Sequence, residues 1–353
     1  MDRIVVRDPT DVATARRRVA GLASQLGYNE TEAGRVAIVV TELAQNLLRH
    51  GGGGEMLAGR DTTDPAALEV IALDKGPGMA DVAACMRDGF STGGTPGNGL
   101  GAVQRMTRQL LIHSRPGGGG PGGGGPGGGG PRGGSPGGGP AGAAGGGTAI
   151  LARLGGKAPP AARNAATLCV PKPGEAVCGD SACIMPRPDG TIGVLVADGL
   201  GHGPQAAAAS AEAVRLFRKH PSAALVDLLS ILHAGLRATR GAAIAAAVID
   251  PAARQVTYGG VGNIAGFITD SGGTRRMVSH SGTAGHTAGR MQAFRYPMHH
   301  RPVLVMFSDG LATSWSPDGH AGLFDLDPTL IAAVLYRDHA RGRDDASVVV
   351  WKG

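Results

Sequence analysis

Apolar positions in the first third of the chain recur with two rhythms. Residues 4–7 carry a short strand pattern. Asp8-Pro9-Thr10 is a helix start signal, because proline is tolerated in a first helical turn, and the pattern predicts a helix over residues 11–26 that stops at Gly27. Asn29 is placed to cap a second helix, with Glu30 and Glu32 in the first turn, where carboxylates favour the helix dipole. That helix carries Val36, Ile38, Val39, Val40, Leu43, Leu47 and Leu48 and ends at Gly51. Strands are predicted over residues 55–60 and 68–73, separated by a turn at Asp64-Pro65, and Asp74-Lys75-Gly76-Pro77-Gly78 closes the second. A short helix over residues 81–87, a polar glycine-rich loop over 89–98, a helix from 99 to about 107 and a strand over 109–113 follow. Farther on, the apolar runs 192–197, 303–307 and 346–351 read as buried strands, and the alanine-rich stretch 204–217 reads as a helix.

Between these halves the composition breaks. Residues 116–147 are nearly all glycine and proline with a Pro-Gly-Gly-Gly-Gly repeat. A period of five is not collagen, which needs glycine every third residue. Such a segment has no apolar surface to bury and is expected to be disordered. It reads as an inflated hairpin loop inside the first domain, with Leu110-Leu111-Ile112 and Ala149-Ile150-Leu151 on neighbouring strands. The expected organisation is then a first domain over residues 1–156 with an insertion at 117–147, a linker at 157–164 containing Pro159-Pro160, and a second domain over 165–353.

Composition narrows the class. A chain of 353 residues has room for about two domains. With 42% hydrophobic but only 3% aromatic residues, its cores must be built from Ala, Val, Leu and Ile. The formal charge of +6 is scattered. Its densest run, Arg16-Arg17-Arg18, falls in a predicted helix and reads as a solvated face, so nucleic acid is not an expected partner. Cys85, Cys169, Cys178 and Cys183 show no Cys-x-x-Cys spacing, which fits reduced thiols in a cytoplasmic protein. The start of the chain is too charged for a signal peptide, and no apolar run approaches the ~20 residues of a membrane span.

The second half carries acidic residues at the edges of its apolar runs. Asp198 ends one run in Asp198-Gly199-Leu200-Gly201-His202-Gly203, Asp180 stands in Cys178-Gly179-Asp180, Asp309 in Ser308-Asp309-Gly310, and Asp344-Asp345 precede the last run. One Asp-Gly pair is ordinary turn chemistry. Four such places in this order resemble the metal-dependent serine/threonine protein phosphatases of the bacterial branch typified by sporulation stage II protein E, over residues 165–353. That resemblance implies a β-sandwich flanked by helices and a two-ion Mg²⁺ or Mn²⁺ centre. Asp198 would bridge the ions as the central catalytic residue, with the Gly199 carbonyl, Asp180, Asp309 and Asp344 (in preference to Asp345) as further ligands. Water activated there would attack a phosphoserine in line. A carboxylate set suits hard cations rather than zinc. His202 is either a general acid or a turn residue, and His286 and Arg290, in a glycine-rich flap over 281–290, are candidates to meet substrate phosphate.

The first half carries three motifs in order. Glu42 and Asn46, four apart, share a helix face. Asp74, Gly76 and Gly78 follow a strand, and Gly97, Gly99 and Gly101 open a helix whose free N–H groups suit phosphate. Together they resemble the Bergerat-fold ATPases, an α/β sandwich. Thr41-Glu42-Leu43-Ala44-Gln45-Asn46 and Asp74-Lys75-Gly76-Pro77-Gly78-Met79 look most like the small anti-sigma-factor-type serine kinases. The resemblance implies that Glu42 polarises the attacking hydroxyl and that Asn46 binds the Mg²⁺ of ATP. Asp74 would accept from the adenine amino group, with Gly76 and Gly78 letting backbone approach the base. Gly97, Gly99 and Gly101 would cradle phosphate beneath a lid over 91–97. The whole chain is thus expected to be α+β: a serine-kinase-like ATPase domain fused to a phosphatase, acting on an anti-sigma-antagonist-type phosphoprotein. A sigma factor or a signalling scaffold is the other kind of partner implied. The competing expectation is that the first domain only binds nucleotide and docks or sequesters a partner.

Overall fold

The computed structural model describes residues 1–62, 64–86, 99–117, 146–156 and 163–353. The amino-terminal part runs β1 (Asp2–Val6), α1 (Pro9–Gln25), α2 (Glu30–Gly51), β2 (Gly54–Arg60), β3 (Ala67–Leu73), α3 (Val82–Cys85), α4 (Gly99–Met106), β4 (Gln109–Arg115) and β5 (Gly147–Gly155). The carboxy-terminal part begins with β6 (Ala165–Val170), β7 (Asp180–Pro186), β8 (Ile192–Gly199), α5 (Pro204–Lys219) and α6 (Leu225–Gly235). It continues through β9 (Ala242–Asp250), β10 (Gln255–Val261), β11 (Ala265–Asp270), β12 (Gly273–Arg276), β13 (Phe294–Pro297), β14 (Val303–Phe307), α7 (Pro328–His339) and β15 (Ala346–Lys352). No helix among the described residues is long and apolar enough to cross a membrane. All four cysteines are free thiols.

Local chemistry explains the first helices. Asp8 accepts from the Thr10 N–H at 2.7 Å and the Asp11 carboxylate reaches back to the Asp8 N–H, a reciprocal cap that starts α1 at Pro9, two residues before the predicted start. Asn29 and Glu32 form the same box at α2. The left-handed Gly52 terminates that helix.

Three antiparallel sheets result, ordered β1-β2-β3-β5-β4, β13-β10-β9-β8-β7 and β12-β11-β14-β15-β6. In the first, Leu110 pairs with Ala152, Leu111 with Leu151 and Ile112 with Ile150. The glycine tract therefore joins two neighbouring strands, as a hairpin loop must. Its residues 118–145, and 157–162 of the expected linker, lie outside the described residues. One face of this sheet, with Met56, Ala58, Val70 and Ala72, packs on α1, α2 and α4. The alternate residues Leu57, Ile71, Leu73 and Leu151 point the other way, as the two-residue period of a strand demands.

The second and third sheets face each other as a sandwich, through Val194, Val196, Ala245 and Ile249 against Leu304, Met306, Val349 and Trp351. Helices α5 and α6 cover the outside of the second sheet. Helix α7 covers the outside of the third, and its opposite side meets the first sheet. Residues Pro328 to Arg337 of α7 are all buried, the signature of a helix enclosed on every side. Full burial of Leu330, Ile331, Val334 and Leu335 contributes about 1.5–3 kcal/mol each. The same seam holds a buried ionic network. Arg153 bonds Glu69 at 2.7 Å, Asp327 at 3.0 Å and the Thr329 hydroxyl at 2.9 Å. The Met1 ammonium donates to the Cys169 carbonyl at 2.7 Å across it.

Candidate functional site

Two polar sites stand on this frame. In the first sheet's layer, Glu42 and Asn46 project from α2 toward the first turn of α4. A Cβ placed on Gly99 would lie 2.9 Å from Glu42 Oε2 and 3.9 Å from Asn46 Oδ1, so both side chains face a helix N-terminus. Gly101 is buried in that turn. Gly97 and the expected lid lie outside the described residues.

Asp74 follows β3 and is held by backbone. Its Oδ1 accepts from the N–H of Gly76 at 2.9 Å and of Thr148 at 3.1 Å. Burial pushes its carboxyl above the ordinary aspartate range, and those two bonds oppose the rise. Gly76 touches the end of α2 so closely that a Cβ would sit 2.8 Å from the His50 carbonyl oxygen. Gly78 adopts φ 73° against the Arg115 carbonyl. Sequence reasoning assigned nothing to Ser114 and Thr148, yet their hydroxyls meet at 3.0 Å beside Asp74, and Ser114 Oγ accepts from the Met79 N–H at 2.7 Å. The signal was their position at the two mouths of the glycine tract. His50 lies in the last turn of α2, where a cation suits the dipole.

The second site opens at one end of the sandwich as a pocket of about 470 Å³. Asp198, Asp309 and Asp344 line it with Leu200, Gly201, Asn263, Ser281 and Thr283. Asp180 heads β7 and pairs in register with Asp198 on β8, an arrangement in which like charges repel across strands. Asp309 follows β14, Asp344 precedes β15, and these strands are neighbours. Four carboxylates from two facing sheets thus meet at one end of the fold.

Their electrostatics are unrelieved. Burial first, then Asp180, Asp309 and Asp344, push the Asp198 carboxyl up to about 9. Burial also raises Asp180, to about 6, with the Ser308 and Ser347 hydroxyls acting against it. Those hydroxyls lie near, but neither oxygen of Asp180 closes a hydrogen bond among the described residues. Asp309 is raised by burial and Asp344, and Asn263 donates to its Oδ2 at 2.6 Å. Among the described residues no three His, Cys, Asp or Glu side chains converge on one point closely enough to hold an ion as they stand. Crowded carboxylates with unpartnered buried oxygens are nonetheless the donor set a hard cation neutralises.

Neighbouring residues divide by geometry. Asp345 is buried and accepts from the Lys172 N–H at 2.8 Å, whereas Asp344 faces the pocket. Gly199 ends β8 against the Ala206 backbone, with no room for a side chain. His202 bonds Glu175 at 2.6 Å and does not line the pocket. Residues 281–290 are tied down by bridges from Ala284 to Ala242 and from Gly282 to Ala288 rather than hanging free. A pocket of like volume around Asp270, Arg301 and Lys352 gathers none of the candidate residues.

Comparison with known proteins defines the class. Residues 5–120 match the family described as histidine kinase-like ATPase domain, and residues 188–352 match stage II sporulation protein E. The chain is a fusion of a Bergerat-fold ATPase with a phosphatase domain of the latter type. The serine/threonine-protein kinase RsbT of Bacillus subtilis (strain 168) is 34% identical over 113 residues, 31% of this chain and 83% of that protein. Through its amino-terminal part the chain belongs to the RsbT family. Among solved structures, a chain described under "The bacterial stressosome: a modular system that has been adapted to control secondary messenger signaling" aligns at 26% identity. The alignment covers 53% of this chain and 97% of that one, with a TM-score of 0.50. RsbX in complex with magnesium aligns at 21% identity over 53% of this chain and 94% of its own, with a TM-score of 0.46.

Proposed function

We propose that this chain both adds phosphate to and removes it from serine or threonine of one signalling partner, an anti-sigma-antagonist-type protein. Residues 1–156 would be the ATP-binding kinase unit, 157–164 a linker and 165–353 the phosphatase unit. The carrying observation is the coexistence on one chain of a Glu42/Asn46 pair facing a helix N-terminus and a pocket lined by Asp198, Asp309 and Asp344, with the buried Asp180 paired in register with Asp198. The kinship with RsbT and with a stressosome chain supports the choice of partner class.

In the kinase unit the N–H groups at Gly97, Gly99 and Gly101 would receive the phosphates. The Asp74 carboxylate, already oriented by Gly76 and Thr148, would accept from the adenine amino group. Asn46 would ligate Mg²⁺, and Glu42 would orient and deprotonate the partner's hydroxyl. In the phosphatase unit Asp180, Asp198, Asp309, Asp344 and the Gly199 carbonyl would hold two Mg²⁺ or Mn²⁺ ions. When bound, such ions supply Lewis acidity and make water nucleophilic at neutral pH. The chain's own contribution is to fix the carboxylates at strand ends, with Asn263 setting the Asp309 rotamer.

The two chemistries also suggest a switch. The kinase consumes ATP and the phosphatase only water, so falling ATP shifts the partner toward its unphosphorylated form. A phosphoserine peptide incubated with the chain in Mn²⁺ tests the phosphatase reading. Release of phosphate by wild type and none by Asp198→Asn supports it, and equal release by both overturns it.

A further inference from the structure

The pocket's acids explain how cations would be held but not how the chain itself would grip a phosphorylated side chain. Strands β8 and β9 pair so that Asp198 faces Ala243 and Gly199 faces Ala242. The residues just outside this pairing, Leu200-Gly201 and Arg240-Gly241, therefore lie side by side at the mouth of the pocket. The Leu200 N–H donates to the Gly241 carbonyl at 3.0 Å. Gly201 lines the pocket, and a Cβ placed on it would lie 3.3 Å from Arg240 Nη1. The guanidinium thus rests over the glycine at the rim.

Its backbone is fixed on both sides while its side chain is uncommitted. The Gly241 N–H donates to Thr239 Oγ1 at 3.0 Å, and Thr239 Oγ1 donates to the Leu236 carbonyl at 2.7 Å. His286 Nε2 bonds the Arg240 carbonyl at 2.8 Å. The Arg240 side chain is exposed, and no hydrogen bond or ion pair to its guanidinium occurs among the described residues. Other arginines of the carboxy-terminal part are spent differently: Arg275 on Asp270, Arg276 on the Trp315 carbonyl, Arg337 on Asp338. Arg341 and Arg343 act on Asp309, on the other side of the pocket.

We propose that Arg240 binds the phosphoryl group of the substrate at the mouth of the Asp198–Asp309–Asp344 pocket, with His286 positioning the loop that carries it. This rests on the phosphatase reading above. A phosphomonoester dianion entering a ring of carboxylates needs positive charge on its outward oxygens as well as on those facing the cations. A planar guanidinium with two parallel donors matches two phosphoryl oxygens. The His286 imidazole is already committed to the Arg240 carbonyl, and the Arg240 guanidinium lies against Gly201 of the pocket lining.

The test uses the full chain saturated with Mn²⁺ and compares Arg240→Ala, Arg240→Gln, Arg240→Lys and Asp198→Asn. Substrates are a phosphoserine peptide and p-nitrophenyl phosphate, with inorganic phosphate as inhibitor and as the ligand in a thermal-shift titration. Loss of charge-assisted hydrogen bonds predicts that Ala and Gln raise KM and the phosphate inhibition constant about ten- to a hundredfold. They should also lose phosphate-induced stabilisation, keep the ligand-free Tm, and change kcat less, while Lys recovers part of the binding. Unchanged KM, inhibition constant and phosphate shift in both Ala and Gln, beside an inactive Asp198→Asn, would overturn the role of Arg240 alone. An active Asp198→Asn would overturn the phosphatase reading and the Arg240 role with it.

Discussion

Asp74 and Asp180 are both aspartates at strand ends beside glycines, yet they live in opposite states. Asp74 accepts two backbone N–H groups and its loop is complete without a ligand. Asp180 is buried, both its oxygens lack a hydrogen-bond partner among the described residues, and it faces Asp198 across the ladder. The proposed nucleotide site is thus finished by hydrogen bonds within the chain, whereas the carboxylates around the acidic pocket hold repulsion that only a cation or a proton relieves. Both stand near glycine at a strand end, Asp74 after β3 and Asp180 at the start of β7. What differs is the group that the sheet places opposite.

The sharpest way to break this contrast is to remove divalent ions. With EDTA, phosphopeptide hydrolysis should fall by about a thousandfold or more, since ion catalysis is worth several kcal/mol, while adenosine binding at Asp74 stays unchanged. Restoring Mn²⁺ at about 100 times its Kd should stabilise wild type by about 2.7 kcal/mol in a melt and leave Asp198→Asn nearly unmoved. Equal Mn²⁺ shifts in both would mean that the carboxylates do not hold the ion.

Asp74→Asn is the matching change at the other site. It should weaken nucleotide binding by about ten- to a hundredfold, read by calorimetry, with phosphopeptide hydrolysis intact. Asn keeps the oxygen that accepts from Gly76 and Thr148, so the loop should survive. Loss of hydrolysis as well would show that the sites are not separable.

Legibility followed the same division. The caps at Asp8 and Asn29 and the turns after β3 and β8 are local, and the pairing of β4 with β5 is flagged by the glycine tract that separates them, so the sequence displays them. Helix α7 went unpredicted because Leu330 to Tyr336 is apolar all round, a pattern that fits a buried strand as well as a buried helix. Strand β9, Ala-Ala-Ile-Ala-Ala-Ala-Val-Ile-Asp, has strong helix formers, and its two sheet neighbours override them. Arg153 finds Asp327 at a separation of 174 residues, which no window of sequence reveals. The crowding that raises Asp198 likewise needs three elements brought together.

Smaller effects probe the joints between the regions. Gly117 and Gly146 lie against each other and against the Asp74–Gly78 turn, Gly117 donating to the Pro77 carbonyl at 2.9 Å. Replacing residues 118–145 by a turn of about four should stabilise the chain by roughly 2 kcal/mol, since closure entropy scales with the logarithm of loop length, and leave nucleotide affinity unchanged. Lost affinity would give the tract a role in binding.

The smallest effect is a pH slope at the carboxy-terminal end of α7. His339 stacks on Trp315 at 4.5 Å and meets His320 Nε2 at 2.9 Å. Burial first, then His320, lowers His339 to about 4, and burial lowers His320 as well. An unfolded histidine titrates near 6.5, so the unfolded chain binds more protons between about pH 4 and 6.5. Stability from this pair is present above pH 6.5 and lost as pH falls toward 4. His339→Gln should flatten that part of a Tm-against-pH curve, and an unchanged curve would remove the pair from the account.

The central claim, opposite phosphate chemistry at two sites of one chain, is tested most directly by intact-mass spectrometry. A recombinant anti-sigma-antagonist-type partner is followed through incubation with Mg·ATP and then, after ATP is exhausted, with Mn²⁺. The account predicts one added phosphate that later disappears from the same residue, no phosphate with Glu42→Ala, and phosphate that persists with Asp309→Asn. Phosphate added to the partner but removed only from a different protein would contradict it.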